Sequence, residues 1–323
     1  MNFYTFYPMK LRPVLKNIVW GGTRLANEYG KSDNSIEVNQ KIAESWELCV
    51  HANGTNIIEN GCYAGKNLEE LFSGNKAIVS SGYSAEKFPI LIKFIDAAQD
   101  LSVQVHPDNE YAARVSGELG KTEMWYIIDC ELGAKIAYGL NADYTREQLR
   151  RHINSGTLES CLNYIAVTPG DVFFIPAGLI HAIGAGVLIA EIQQNSDTTY
   201  RMYDYNRADA YGKLRELHIE QALDVCITTK TQSGHIKQPN SAVLSRCKCF
   251  SVYKDSLIDI GSENSDGFHS IICLGGTAKI IHNDIAYAIK KGDSYFIPAG
   301  IGKYAIENAR DFSFILTTLG SFG

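Results

Sequence analysis

Two stretches of this chain are near copies of one another. PGDVFFIPAGLIHAIG at 169–184 returns as KGDSYFIPAGIGKYAIE at 291–307, with Gly-Asp and Phe-Ile-Pro-Ala-Gly in the same register about 122 residues apart. Self-similarity at a fixed offset marks a duplicated structural unit, so two copies of one fold are expected. The material around each copy is short apolar runs between turn residues: FPILIKFI (88–95), LSVQVH (101–106), EMWYIIDC (123–130), GDVFFIP (170–176), VLIAEIQQ (187–194), HSIICLGG (269–276) and DSYFIPAG (293–300). Their β-branched and aromatic content reads as strands. Helical periodicity is confined to 67–74, 144–156 and 217–226. Short strands without long helices between them favour an antiparallel sandwich over a doubly wound sheet. The expected fold is mainly β, two jelly-roll barrels with a few short helices. The polar stretch TTKTQSGHIKQPNS (228–241) reads as the connection between them, giving domains of 1–235 and 236–323.

Composition narrows the function classes. The 36 acidic residues outnumber the 30 basic ones for a formal charge of −6, the wrong sign for unspecific attachment to nucleic acid. No window approaches 18 uninterrupted apolar residues and the first residues lack a secretory pattern, so neither a membrane nor a nucleic-acid partner is expected and the cytoplasm is the expected location. The eight cysteines include no CxxC and read as reduced thiols. Their one close pair, Cys247 and Cys249, has poor spacing for a disulfide between neighbours on one strand and lacks a second pair for a cysteine-held zinc.

In the first copy, Gly170, Pro176 and His181 fit the spacing G-x5-P-x4-H, which resembles the second motif of the cupin superfamily of small β-barrels. The glycine turns the chain between strands, the proline shapes the next turn, and the histidine points inward as a metal ligand. In the second copy Lys303 takes the place of His181, so one barrel is expected to hold a metal and the other, cupin-like barrel is not. Upstream, Ser102, Gln104 and His106 alternate and share one face of a strand. Glu123 opens the next apolar strand and can return opposite His106. Two imidazoles and one carboxylate, with an optional amide oxygen from Gln104, suit zinc, although the same set also suits Fe(II). His51, His152, His218, His235, His269 and His282 sit in no such motif and read as hydrogen-bonded structural residues.

The segments FPILIKFIDAAQDLSVQVHPDNEYA, GELGKTEMWYII and PGDVFFIPAGLIHAIGAGVLIAEIQQNSDTTYRMYDYNR resemble the type I mannose-6-phosphate isomerases, in particular the shorter bacterial form. The resemblance implies an aldose–ketose isomerase that interconverts mannose 6-phosphate and fructose 6-phosphate. It implies one zinc ion per chain held by Gln104, His106, Glu123 and His181, and an active-site arginine at Arg201. Removing a proton beside a carbonyl creates an anionic enediolate, which a metal ion and a guanidinium stabilise. Glu191, Lys121 and a metal-bound water are all capable of carrying the proton, and Lys93 and Ser102 are expected phosphate contacts by resemblance. The larger family members carry an extra helical domain after GKTE, where this chain has only the short helix expected at 144–156. The rival from another class is a cupin that keeps its pocket as a binding module. Oligomeric state is not legible.

Overall fold

The computed structural model describes residues 6–32, 40–208, 212–232, 234–256 and 267–320. Three antiparallel sheets dominate it. A five-stranded sheet runs in the order Leu162–Ala166, Lys135–Leu140, His181–Ile183, Val103–Val105, Tyr200–Tyr203. A seven-stranded sheet faces it, in the order His235–Ile236, Val172–Ile175, Glu123–Cys130, Val187–Gln194, Ile90–Ala97, Glu44–Leu48, Val14–Lys16. The third sheet, of eight strands, is built mainly from residues 243–319.

The period-2 pattern explains how these layers stack. In Ile90–Ala97, Ile90, Ile92 and Phe94 point to a core shared with the third sheet, whereas Ile95 and Ala97 join the core between the first two sheets. All eight residues of that strand are buried. A strand covered on both faces reads as an unbroken apolar run, which is why its two charged residues, Lys93 and Asp96, stand out. The neighbouring strands follow the same parity. Leu188, Ala190 and Ile192 face the shared core, as do Met124 and Tyr126. Glu191 and Glu123 therefore point between the first two sheets. On the outer side of the five-stranded sheet, Val103, Val105, Ala182 and Met202 are covered by Leu149, Ile153, Ala222 and Leu223, from the helices Arg146–Asn154 and Ile219–Val225.

Helices form at the three expected places. Two more, Arg24–Tyr29 and Asn109–Ser116, lack a long apolar stripe. The second is legible only by its ends, where Asp108 Oδ1 accepts from Tyr111 N at 2.8 Å and Gly117 adopts φ 68°. Strand His269–His282 runs past the Gly275-Gly276 pair that reads as its end. Register shifts and Gly276 at φ 67° let the chain bulge there without leaving the sheet. The segment 228–241 is also more than a connection. Thr231 N donates to the Leu140 carbonyl, His235–Ile236 forms the edge strand against Val172 and Phe173, and Gln238 N donates to Asp171 Oδ1. Ser233 within it lies outside the described residues.

The sheets do not separate at a single cut near residue 235. Met9–Arg12 pairs with Ser294–Ile297 and with Ile57–Ile58, so the N-terminal part of the chain supplies strands to the third sheet. Phe88, from the first copy, sits 5.5 Å from Phe268 and 6.1 Å from Phe296, ring centre to ring centre. A buried ion pair crosses the same seam. Glu47 is fully buried and its Oε1 lies 2.7 Å from Lys31 Nζ; Ser45 and Ser294 hydroxyls also donate to it. Lys31 Nζ reaches the Gly292 carbonyl in turn. In the repeat, Ser294 replaces Val172, so the second copy differs from the first where it meets Glu47. Removing one partner of a buried pair leaves an uncompensated charge and costs about 3–5 kcal/mol. Glu47→Gln should therefore lower the free energy of unfolding by about that much, read as a lower urea midpoint at unchanged m-value, and Lys31→Met with Glu47→Leu should recover much of it. An unchanged midpoint in the single variant would show that the pair contributes nothing.

Candidate metal centre and substrate pocket

The two facing sheets bring their polar side chains together in the space between them. From the five-stranded sheet come Gln104, His181 and Arg201, linked by the pairings His181↔Gln104 and Arg201↔Gln104, with His106 one residue past its strand. From the seven-stranded sheet come Glu123, Glu191 and Lys93, with Glu191 paired to both Lys93 and Trp125. All nine residues singled out in the sequence reach this region. His106, Glu123 and His181 cluster at its floor, while Lys93, Ser102, Gln104, Lys121, Glu191 and Arg201 line the adjoining pocket.

The ligand atoms of His106, Glu123 and His181 lie within 4.8 Å of one another. Glu123 Oε1 is 3.3 Å from His181 Nε2 and 3.7 Å from His106 Nε2. The imidazoles are oriented from behind: His106 Nδ1 is 2.9 Å from the Thr198 carbonyl and His181 Nδ1 is 2.8 Å from the Leu179 carbonyl. A carbonyl only accepts, so each Nδ1 carries the hydrogen and each Nε2 turns a lone pair toward Glu123. Burial pushes the His181 imidazole down to about 4, partly opposed by its bond to Leu179. His106 is held well below its ordinary value, first by burial and then by the Lys121 charge. Both rings are therefore neutral at pH 7 and ready to accept a cation.

The fit to a metal ion rests on the carboxylate. Glu123 is fully buried, and neither of its oxygens receives a well-directed hydrogen bond. Burial raises its pKa to about 7, against the pull of Lys121. A buried charged group without partners is costly unless a cation meets it. Lys121 supplies part of that charge, with Nζ 3.1 Å from Glu123 Oε2 and 3.2 Å from His106 Nε2. Two lone pairs and an under-bonded carboxylate on one point suit a divalent ion. Gln104 is adjacent, with its amide Nε2 3.4 Å from His181 Nε2. Trp125 packs edge-on against the His181 ring at 5.3 Å and shields that side.

A second charged group lies beside the first on the seven-stranded sheet. Lys93 Nζ stands 3.1 Å from Glu191 Oε1 and 3.7 Å from Glu44 Oε2. Trp125 Nε1 donates to Glu191 Oε2 at 2.8 Å, and Trp46 Nε1 donates to Glu44 Oε2 at 2.6 Å. Burial opposes ionisation of Glu191, but Lys93 and then Lys121 outweigh it and hold the carboxyl well below the usual range. The Lys93 ammonium is thus flanked by two carboxylates.

The mouth of the pocket carries different cations. Arg201 donates from Nε to Ser102 Oγ at 3.3 Å and from Nη1 to the Glu216 carbonyl at 2.9 Å. Arg215 lines the same pocket, its Nε bonded to Asp204 Oδ2 at 2.6 Å, and Arg207 Nη2 shares Asp204 Oδ1 at 2.6 Å. Three guanidinium groups around one carboxylate leave net positive charge. Sequence reading missed Glu44 and Arg215, and also the Thr198 and Leu179 carbonyls. Backbone acceptors have no residue signature, and Arg215 belongs to a segment with no motif. Two wider grooves, of about 680 and 860 Å³, open on the third sheet near Lys10 and Lys290, but neither gathers histidines with carboxylates.

Fold and site together define a cupin-type β protein with a buried His-Glu-His group able to hold a metal ion. The chain matches the family model described as phosphomannose isomerase type I, catalytic domain, over residues 9–130, and that described as mannose-6-phosphate isomerase, cupin domain, over residues 241–316. It is 42% identical over 311 residues to mannose-6-phosphate isomerase ManA of Bacillus subtilis (strain 168), covering 94% of this chain and 96% of that relative. It is 37% identical over 306 residues to mannose-6-phosphate isomerase of Streptococcus mutans serotype c, covering 93% and 95%. The crystal structure of the mannose 6-phosphate isomerase from Bacillus subtilis superposes with a TM-score of 0.85 at 35% identity, covering 97% of this chain and 99% of that one. The chain belongs to the type I mannose-6-phosphate isomerase family.

Proposed function

We propose that this protein interconverts mannose 6-phosphate and fructose 6-phosphate in the pocket between the two facing sheets, with one zinc ion on His106, Glu123 and His181. The observation that carries this reading is the convergence of that buried group with Lys121, Glu191 and Arg201 in one pocket. When bound, the ion supplies Lewis-acid stabilisation of negative charge developing on a substrate oxygen. Gln104 is the fourth ligand in this reading, which requires its amide turned so that the oxygen replaces the nitrogen beside His181.

The remaining chemistry belongs to the side chains. Glu191, kept ionised by Lys93 and Trp125, is the carboxylate available to take a proton from carbon. Lys121 Nζ is the ammonium that steadies charge on the oxygen side, and the aldose–ketose step then returns the proton to the neighbouring carbon. Arg215 and Ser102 at the mouth form the better phosphate contacts, since a guanidinium matches phosphate oxygens two at a time, and Arg201 adds its fixed charge beside the reacting oxygens. Lys93 acts in this reading on Glu191 rather than on the phosphate. Trp125, packed edge-on against the His181 ring, keeps bulk water from that side of the site.

A coupled assay that follows fructose 6-phosphate formed from mannose 6-phosphate tests the reaction itself. Turnover by the zinc-loaded protein is expected. Binding of the sugar phosphate without conversion would instead make the chain a binding module that has kept its pocket.

A further inference from the structure

Outside the pocket, one nucleophilic cluster stands apart from every other cysteine in the chain. Cys247 and Cys249 lie between strands Val243–Arg246 and Phe250–Lys254 of the third sheet. Arg246 pairs with Ser251, and Cys247 N donates to the Phe250 carbonyl at 2.9 Å. Cys247 therefore opens a tight turn with Lys248 and Cys249 at its centre. The pair thus lies in a turn between two strands and not along one strand, the placement on which the poor disulfide spacing was read.

The turn has the form in which a side-chain acceptor at its first residue takes the N–H two residues on, a role that Asp, Asn or Ser oxygen usually fills. Here sulfur fills it: Cys249 N donates to Cys247 Sγ at 3.4 Å. A backbone N–H stabilises thiolate more than thiol, because the bond becomes charge-assisted. Both residues are half-buried free cysteines at the edge of the shared core. The hydrogen bond from the Cys249 side chain, first among several causes, draws the Cys247 thiol down to about 6, and the same bond raises Cys249. Burial instead pushes Cys49 and Cys273 up to about 12 and Cys226 up to about 11, which leaves those thiols inert.

We propose that Cys247 and Cys249 form a thiol–disulfide exchange site that takes low-molecular-weight disulfides. The Cys247 thiolate attacks one sulfur of the reagent, whose S–S bond breaks and releases one thiolate. Cys249 then attacks the Cys247 sulfur of the mixed disulfide, releasing the second thiol and closing a Cys247–Cys249 bond. Two protein thiols are oxidised and one disulfide is reduced to two thiols, which take up the two protons that the cysteines lose.

Glutathione disulfide applied to the full chain at pH 6, with peptide mass mapping over time, tests this. At that pH a thiol drawn below its ordinary value is thiolate to a larger extent than an ordinary one, a gain that its lower intrinsic nucleophilicity offsets only in part. Cys247 should thus react about 10-fold faster than Cys62, the exposed cysteine that serves as internal comparison. The wild-type chain should end as the intrachain disulfide, Cys249→Ser should stop at a glutathionyl adduct on Cys247, and Cys247→Ser should lose the fast reaction. Earlier modification of Cys62, or an adduct on Cys247 that persists with Cys249 intact, would overturn the proposal.

Discussion

His181→Ala is expected to lose the metal ion and the isomerase activity together. His181 contributes one of the two neutral Nε2 lone pairs that face Glu123, 3.3 Å from its Oε1. Without it, one imidazole, one carboxylate and the weakly donating Gln104 amide remain, a set that holds zinc poorly. Lewis-acid stabilisation is worth several kcal/mol at the transition state, so turnover should fall by about 10³ or more. Elemental analysis of the purified variant beside the coupled assay gives both readings. A metal-free variant that still turned over would remove the ion from the reaction. The backbone reason for His181's orientation is local, since its Nδ1 is bound two residues back to Leu179, and alanine leaves that turn otherwise intact.

Arg201→Ala should keep the metal and lose turnover by about 10²–10³, the usual effect of removing one fixed donor from developing charge. The hydrogen bonds of Arg201 run to Ser102 Oγ, the Glu216 carbonyl and His218, not to His106, Glu123 or His181. Its loss therefore leaves the ligand group standing. The kinetic constants separate its two possible duties. A phosphate contact alone shows as a raised KM with kcat unchanged, whereas contact with the reacting oxygens lowers kcat. Arg215→Ala, at the mouth and tied to Asp204, should raise KM alone. Loss of metal in the arginine variant would contradict this division of roles.

How far the site was legible in the sequence follows from which residues carry local patterns. His181 sits in a repeated motif, and the divergence to Lys303 marks it as functional. Gln104 and Ser102 follow from strand parity, and both line the pocket, with Ser102 bonded to Arg201. Glu123 and Glu191 could be named but not placed, because a carboxylate in an apolar strand is explained only by its partners on other strands. Lys93 lies 98 residues from Glu191, and the imidazoles that face Glu123 lie 17 and 58 residues away in the chain. Glu44 was missed for the same reason. At the level of the fold, the duplicated β unit was plain, but Met9–Arg12 joining the strand Ser294–Ile297 was not. Strand pairing between distant segments is decided by a shared core, here that around Phe88, Phe268 and Phe296, rather than by any local signal.

Metal removal and return is the most direct measurement. The protein stripped with a chelator should convert no mannose 6-phosphate and should recover turnover when about one equivalent of zinc per chain is restored. Recovery with Fe(II) but not zinc, or undiminished turnover in the stripped protein, would contradict a zinc-dependent isomerase built on His106, Glu123 and His181.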